Sequence, residues 1–231
     1  MNPVFILFSF FTIAVSFSYQ PNTPEMAVKK YTYLAIGDSY TIGESVAPAE
    51  NFPNQAVQLL QKENSVTIEA RIIAKTGWTT DELEAGIIAA DKEESLLPSY
   101  DFVSLLIGVN NQYRGRSVEE YKPEFEALLK KAIRFAGNNA SHVVLLSIPD
   151  WGVTPFAEGR DRSQIAAEID AYNKANKEIA LQHKVHYIDI TPWTREAATD
   201  HSLLAADGLH PSGKEYKRWA VKIAAWISKL V

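Results

Sequence analysis

Short apolar runs alternate with longer amphipathic segments along most of the chain. Runs without regular polar alternation suit strands that are covered on both faces. Five such runs predict β-strands: Tyr31–Ile36, Val66–Ala74, Phe102–Ile107, His142–Ile148 and Val185–Ile190. Helical segments between strands are typical of parallel β-α-β units. The pattern therefore predicts an α/β protein, a three-layer α/β/α sandwich with a five-stranded parallel sheet of flavodoxin-like order.

Helix starts are marked by the spacing of a capping box, in which Ser or Thr precedes Glu by three residues. This spacing occurs at Thr79–Glu82, Ser117–Glu120 and Ser212–Glu215. The third is followed by an apolar stripe at helical spacing: Tyr216, Trp219, Ile223, Trp226 and Leu230.

Pro123 conflicts with the second of these helix starts. It lies six residues after Ser117, where a proline removes an intrahelical hydrogen bond. The sequence therefore predicts either a helix that begins nearer Lys122 or a kinked helix.

Composition narrows the class of protein. The 231 residues are 46% hydrophobic and 22% charged, which excludes disordered, collagen-like and polytopic membrane chains. Lys and Arg number 23 against 28 Asp and Glu, a formal net charge of −5, so nucleic acid is not an expected partner. The absence of cysteine excludes disulfides, thiolate catalysis and Cys-ligated metals.

The N-terminal segment differs from the rest. No charged side chain precedes Glu25, and Val4–Phe17 is almost continuously apolar. That run is shorter than a bilayer span but matches the apolar region of a secretory signal. Residues 1–18 are therefore expected to be a signal peptide and 19–28 a linker, with the protein secreted or periplasmic. Because a basic N-terminal region is missing, an uncleaved membrane anchor and a buried first strand remain alternatives, and membrane contact is expected only through this segment.

Polar residues cluster just after the predicted strands of the remaining domain, residues 29–231. Ligands of open parallel sheets bind at the carboxyl ends of the strands. The segments expected to meet at that edge are Gly37-Asp38-Ser39-Tyr40, Lys75-Thr76-Gly77-Trp78-Thr79 and Gly108-Val109-Asn110-Asn111, together with Asp207-Gly208-Leu209-His210-Pro211 before the last helix.

Ser39 and His210 are candidates for nucleophilic catalysis. A serine hydroxyl needs a base, which is usually a neutral imidazole. Asp207 precedes His210 by three residues, close enough to accept a hydrogen bond from Nδ1 and orient the ring. Read alone, both segments are also ordinary turn sequences.

Two further residues could bind the oxyanion of a tetrahedral intermediate. Gly77 can expose its backbone N–H, Asn110 offers a side-chain amide, and the N–H of Ser39 itself would be a third donor. A turn glycine and a capping asparagine are the alternative interpretations. The sequence contains no cluster of His, Asp or Glu residues at the spacing of metal ligands, so no metal site is predicted.

Taken together and in order, the four segments resemble the blocks of the SGNH hydrolase superfamily, the GDSL esterase/lipase family. The resemblance covers Tyr31 to Val231. It implies a cofactor-free hydrolase with Ser39 as nucleophile, His210 as general base and Asp207 as the acid that orients it, and with Ser39, Gly77 and Asn110 as oxyanion donors. Two positions depart from the family pattern, Tyr40 in place of Leu and Asn111 in place of Asp. Neither carries a catalytic group in that scheme, so the departures affect local packing.

Aromatic residues near the same edge suggest a substrate pocket. Tyr40, Trp78, Trp151 and Trp193 follow the predicted strands, and they would line an acyl, aryl or sugar pocket or else cap the core. Arg114 and Arg116 would favour an anionic substrate or form solvated ion pairs.

The sequence thus predicts a serine esterase that acts on a small-molecule, lipid or glycan ester through an acyl-enzyme. Lysophospholipase, arylesterase and thioesterase activities are expected variants. A carbohydrate O-acetyl esterase, a glycan O-acyltransferase and a non-catalytic binding module are the alternatives.

Overall fold

The computed structural model describes residues 1, 3, 29–64 and 66–231, with only the backbone of residue 64. The predicted signal and linker, apart from residues 1 and 3, lie outside this part of the chain.

The core of the protein is a five-stranded parallel sheet. Its strands are β1 (Lys29–Asp38), β2 (Val66–Lys75), β3 (Phe102–Leu106), β4 (Val143–Leu146) and β5 (His186–Ile188), in the order β2-β1-β3-β4-β5. This order confirms the predicted flavodoxin-like α/β fold. β1 pairs with β2 on one side and with β3 on the other, so the winding direction reverses beside the carboxyl end of β1, where such sheets form their ligand crevice.

Eight α-helices connect and flank the described strands. They are α1 (Ser39–Ile42), α2 (Phe52–Asn64), α3 (Thr80–Glu93), α4 (Val109–Tyr113), α5 (Val118–Phe135), α6 (Arg162–Gln182), α7 (Thr191–Thr194) and α8 (Gly213–Ile227). Helices α2 and α8 contact each other, whereas α3, α5 and α6 contact one another in that order. Among the described residues, none of the helices combines the length and apolar character needed to cross a bilayer.

All three spacings lie at helix starts, because Thr79, Ser117 and Ser212 are the N-cap residues of α3, α5 and α8, but the glutamate side chain accepts from the N-cap N–H only at the first two. Glu120 N donates to Ser117 Oγ at 3.2 Å, and Ser117 N donates to the Glu120 carboxylate at 3.0 Å. At the start of α3, Thr79 N donates to the Glu82 carboxylate at 2.9 Å. At α8 the Glu215 carboxylate is instead bound by Trp219 Nε1 at 2.8 Å and by an Arg218 Nη at 2.9 Å.

Pro123 lies inside α5, which begins at Val118. A start nearer Lys122 is therefore wrong, because the Ser117 cap fixes the first turn five residues before the proline.

Candidate active site

Ser39 stands at the carboxyl end of β1, as the first residue of α1. Asp38 Oδ1 accepts a hydrogen bond from Tyr40 N at 3.0 Å and thereby caps this short helix. The turn needs glycine before it: a Cβ on Gly37 would lie 2.2 Å from Thr41 Oγ1 and 2.3 Å from Leu106 O. Gly37 therefore leaves room for Thr41 of α1 and for the Leu106 carbonyl of β3 directly beside the turn that carries Ser39.

A cavity of about 160 Å³ opens beside Ser39. Its polar lining comes from all four predicted segments: Ser39, Thr76, Gly77, Asn110 and His210. Its apolar lining consists of Tyr40, Val109, Tyr113, Trp151, Phe156 and Leu209. The structure therefore brings the predicted nucleophile, base and oxyanion residues to one cavity at the carboxyl edge of the sheet.

Asp207 and His210 form a hydrogen-bonded pair. Asp207 Oδ2 lies 2.7 Å from His210 Nδ1, and Asp207 Oδ1 accepts from the backbone N–H groups of Leu209 and His210 at 3.0 Å each. Gly208, with φ of 67°, makes the turn between them. With Nδ1 occupied, the Nε2 atom of this buried histidine is the nitrogen left for a reaction partner.

A fourth group contacts the same carboxylate. Ser45 Oγ donates to Asp207 Oδ2 at 2.7 Å, and Ser45 holds a backbone φ of 64°, a left-handed conformation that is costly for a residue with a Cβ. The neighbouring Glu44 accepts a hydrogen bond from Thr76 in the cavity wall. Through Ser45 and Glu44, the segment after α1 is therefore hydrogen-bonded both to the Asp207 loop and to the loop that contains Gly77.

The two carboxyl groups of the site have opposite electrostatic surroundings. Burial acts to raise the pKa of Asp207, but the hydrogen bonds from Ser45, His210 and two backbone N–H groups outweigh it and lower that pKa to about 2. Burial raises the pKa of Asp38 to about 7, although hydrogen bonds from Tyr40 N and Asn110 oppose the shift. Asp207 is thus an anion at neutral pH, whereas Asp38 is held near its protonation midpoint.

The candidate oxyanion donors are held by neighbouring groups. Asn110 Nδ2 donates to Trp78 O at 3.0 Å and lies 3.4 Å from Asp38 Oδ2. Gly77 has a φ of 84°, and its carbonyl accepts from Arg114 Nη2 at 2.6 Å, which holds the Gly77–Trp78 peptide next to the candidate donor. Gly77 is therefore required for its backbone conformation.

Asn111, one of the two departures from the family pattern, is bound to Thr80 by two hydrogen bonds. Its Oδ1 accepts from Thr80 N at 3.1 Å and its Nδ2 donates to Thr80 Oγ1 at 2.7 Å. This fully buried amide joins the start of α3 to α4, beside the cavity.

Two of the four predicted pocket aromatics, Tyr40 and Trp151, line the cavity. The Tyr40 ring packs 5.0 Å from the His210 imidazole, between ring centroids. The side chain of Trp78 instead covers Gly86 on α3. Trp193 lies under Arg218 and Lys222, at 5.4 and 5.7 Å. The structure thus does not bring the last two indoles to the cavity, because a residue's place after a strand does not determine where its side chain points.

Several residues of the site carry no distinct signal in the sequence pattern. They are Ser45, Thr76, Tyr113, Phe156 and Leu209. Thr76 and Leu209 lie within the polar segments, whereas Ser45 and Phe156 reach the site from surface loops. Arg114 and Arg116, the candidates for binding an anion, are in ion pairs with Glu82 and Asp81 respectively.

Over the part of the chain that the structure describes, no group of three or more His, Asp or Glu side chains is arranged to hold a metal ion.

Solved structures with the same fold include an acetylxylan esterase and a lipase/acylhydrolase. The acetylxylan esterase Axe2 from Geobacillus stearothermophilus is 21% identical, with a TM-score of 0.65 over 87% of this chain and 95% of that one. TesA is 20% identical, with a TM-score of 0.62 over 87% and 99%. A lipase/acylhydrolase from Enterococcus faecalis is 20% identical, with a TM-score of 0.64 over 86% and 96%. No curated protein sequence matched this chain significantly.

The five-stranded parallel sheet and its helices match the α/β fold of SGNH hydrolases. The profile of the GDSL-like Lipase/Acylhydrolase family matches residues 35–218. The chain belongs to this family and is an enzyme that hydrolyses ester bonds.

Proposed function

We propose that the protein is a serine esterase that works through Ser39, His210 and Asp207. One observation carries this proposal: Ser39 and His210 line the same cavity, and Asp207 Oδ2 lies 2.7 Å from Nδ1 of the His210 ring. A hydrogen-bonded acid that fixes the histidine tautomer is what such a nucleophile requires.

In the proposed reaction, His210 Nε2 takes the proton of Ser39 Oγ as that oxygen attacks the ester carbonyl. The oxyanion forms beside the N–H groups of Ser39 and Gly77 and the Asn110 amide, where each donor typically contributes about 10²–10³ in rate. His210 then gives its proton to the leaving alcohol, which leaves an acyl-enzyme. Water attacks this ester by the same steps and releases the acid and Ser39.

The geometry favours a short acyl group. At about 160 Å³ the cavity is smaller than the roughly 300–1,000 Å³ of pockets that enclose drug-sized ligands. Aromatic rings make up much of its wall, so small alkyl or aryl esters fit better than long lipid chains.

A carbohydrate O-acetyl esterase is the second candidate. The likeness to an acetylxylan esterase favours it, and a two-carbon acetyl group suits the small volume of the cavity. Transfer of an acyl group to a glycan uses the same acyl-enzyme, with a sugar hydroxyl in place of water.

The test is hydrolysis of 4-nitrophenyl esters with acyl chains of two to eight carbons by the protein and by Ser39→Ala. We expect turnover that falls with chain length and disappears in the variant. Ser202→Ala, on an exposed turn, is the matched control and should keep full turnover. Undiminished activity of Ser39→Ala would refute the assignment. Release of acetate from acetylated xylan, with and without an acceptor sugar, would then separate the esterase from the transferase.

We further propose that residues 1–18 direct secretion or export to the periplasm, with retention as a membrane anchor as the alternative. This rests on the apolar run Val4–Phe17. Mass spectrometry of the exported protein would show a new N-terminus near residue 19, and an intact segment in the membrane fraction would favour the anchor.

A further inference from the structure

Three aromatic residues form one side of the catalytic cavity. Tyr113, Trp151 and Phe156 pack against one another with ring centroids 5.3 to 6.1 Å apart. Trp151 is buried, and its Nε1 donates to Gln112 Oε1 at 2.7 Å, whereas Tyr113 and Phe156 are 42% and 44% exposed. We call these three residues the aromatic wall. Its outer part is open to solvent beside the cavity mouth.

Arg160 lies against this wall. Its guanidinium carbon is 5.3 Å from the Tyr113 ring centroid and 5.7 Å from that of Trp151. Arg160 Nη2 also donates to the Tyr113 hydroxyl at 3.3 Å. Contact with two rings holds the planar cation in a restricted set of positions, although the residue itself is exposed.

The charge of Arg160 is not neutralised within the described residues. Three other arginines near the site have carboxylate partners: Arg114 pairs with Glu82, Arg116 with Asp81, and Arg195 with Asp150. The guanidinium of Arg162 instead donates to the backbone carbonyls of Val153 and Thr154. In residues 29–64 and 66–231, by contrast, no carboxylate oxygen lies within 4.0 Å of the Arg160 guanidinium. A guanidinium presents five N–H donors suited to carboxylate or phosphate oxygens.

We propose that Arg160 and the aromatic wall form a subsite for a negatively charged group of the ester substrate, a carboxylate or phosphate. This inference rests on the proposed esterase function and adds a substrate class to it. The ester carbonyl lies at Ser39, an apolar part of the substrate lies along the wall, and the anion meets the guanidinium at the mouth.

The test compares anionic and neutral esters of matched shape. One pair carries the charge on the leaving group, 4-acetoxybenzoate and 4-acetoxybenzamide. A second pair carries it on the acyl group, mono-4-nitrophenyl adipate and its monoamide. An exposed ion pair is worth up to about 1 kcal/mol, so in at least one pair kcat/KM should favour the anion about three- to fivefold. Arg160→Met should abolish this preference through KM more than kcat, and 0.5 M NaCl should reduce it in the unmodified protein.

Arg134→Met is the matched control, because it removes the same charge from the last turn of α5. That turn lies beside the start of β3, where Tyr100 N donates to Phe135 O, at the opposite edge of the sheet. This variant should retain the anion preference. Turnover of neutral esters with no anion preference in either pair, or a preference that survives in Arg160→Met, would overturn the subsite and leave the esterase proposal intact.

Binding measurements test the subsite even if no ester is hydrolysed. In NMR titrations the unmodified protein should bind benzoate more tightly than benzamide, and Arg160→Met should bind the two equally. Equal binding by the unmodified protein would overturn the subsite.

Discussion

Ser45 offers a sharp test of how Asp207 is held. The Ser45 hydroxyl donates to the same oxygen that receives His210 Nδ1, and its backbone lies in the left-handed region. Two substitutions separate these features. Ser45→Ala removes the hydroxyl and keeps the Cβ, whereas Ser45→Gly removes the hydroxyl and also relieves the backbone.

The magnitudes follow from the two interactions. A hydrogen bond to a charged group is worth about 1.5–3 kcal/mol. Because Ser45 is exposed, water replaces part of this hydrogen bond, and we expect its loss to raise the activation free energy by about 1 kcal/mol. That corresponds to about a fivefold loss of kcat in both variants. The Cβ penalty in the left-handed region is about 1–2 kcal/mol, so the glycine variant should be the more stable of the two by about 1 kcal/mol.

The assays are ester hydrolysis and urea unfolding of the three proteins. We expect equal losses of kcat with little change in KM, and unequal midpoints of unfolding. Because the Ser45 hydrogen bond helps to lower the pKa of Asp207 to about 2, its loss should shift that pKa upward in both variants. If the alanine variant alone lost activity, loop strain would be the cause, and the reasoning about the hydroxyl would be refuted.

Three other predictions concern the surroundings of Ser39. Leu209 is one of three residues that line both the catalytic cavity and a smaller inner cavity. Leu209→Ala should join the two cavities and so raise kcat/KM for longer acyl chains relative to acetyl. Leu204 lines only the inner cavity, so Leu204→Ala should not have this effect. The Asp38 carboxyl ionises near pH 3.8 when exposed and near 7 when folded, so its burial destabilises the fold increasingly between those values. As the pH rises from 4.5 to 7, the free energy of unfolding of Asp38→Asn, measured with urea, should therefore fall less than that of the unmodified protein, by up to about 3 kcal/mol. The same dependence of the free energy of unfolding on pH in both proteins would contradict this. Gly37→Ala places a Cβ 2.3 Å from Leu106 O, so its Tm should fall by about 6–12 °C if the overlap costs about 3 kcal/mol. An unchanged Tm would show that the turn can relax.

The sequence was sufficient to predict the inner strands of the sheet, because β3, β4 and the second half of β1 are buried on both faces. Tyr33 to Ile36 and Val143 to Leu146 are fully buried, and their apolar runs carry a strong signal. The edge strand β5 is shorter than predicted, His186–Ile188, because only β4 offers it backbone partners among the described strands.

The site residues were predictable where a residue with suitable chemistry comes directly after a strand. Ser39, Gly77 and Asn110 come within a few residues of β1, β2 and β3, so the sheet brings their backbones together. Side-chain direction was not predictable in the same way, and Trp78 illustrates the difference. Its carbonyl accepts from Asn110 at the site, while its indole covers Gly86 on α3.

The contact between Ser45 and Asp207 joins positions 162 residues apart in the chain. Contacts of such long sequence separation carry a large loop-closure cost and form late relative to local helices. In refolding experiments, recovery of ester hydrolysis should therefore lag behind recovery of the helical circular dichroism signal. Catalytic competence in this protein is a property of the completed tertiary structure, and an enzyme assay would time the last step of its folding.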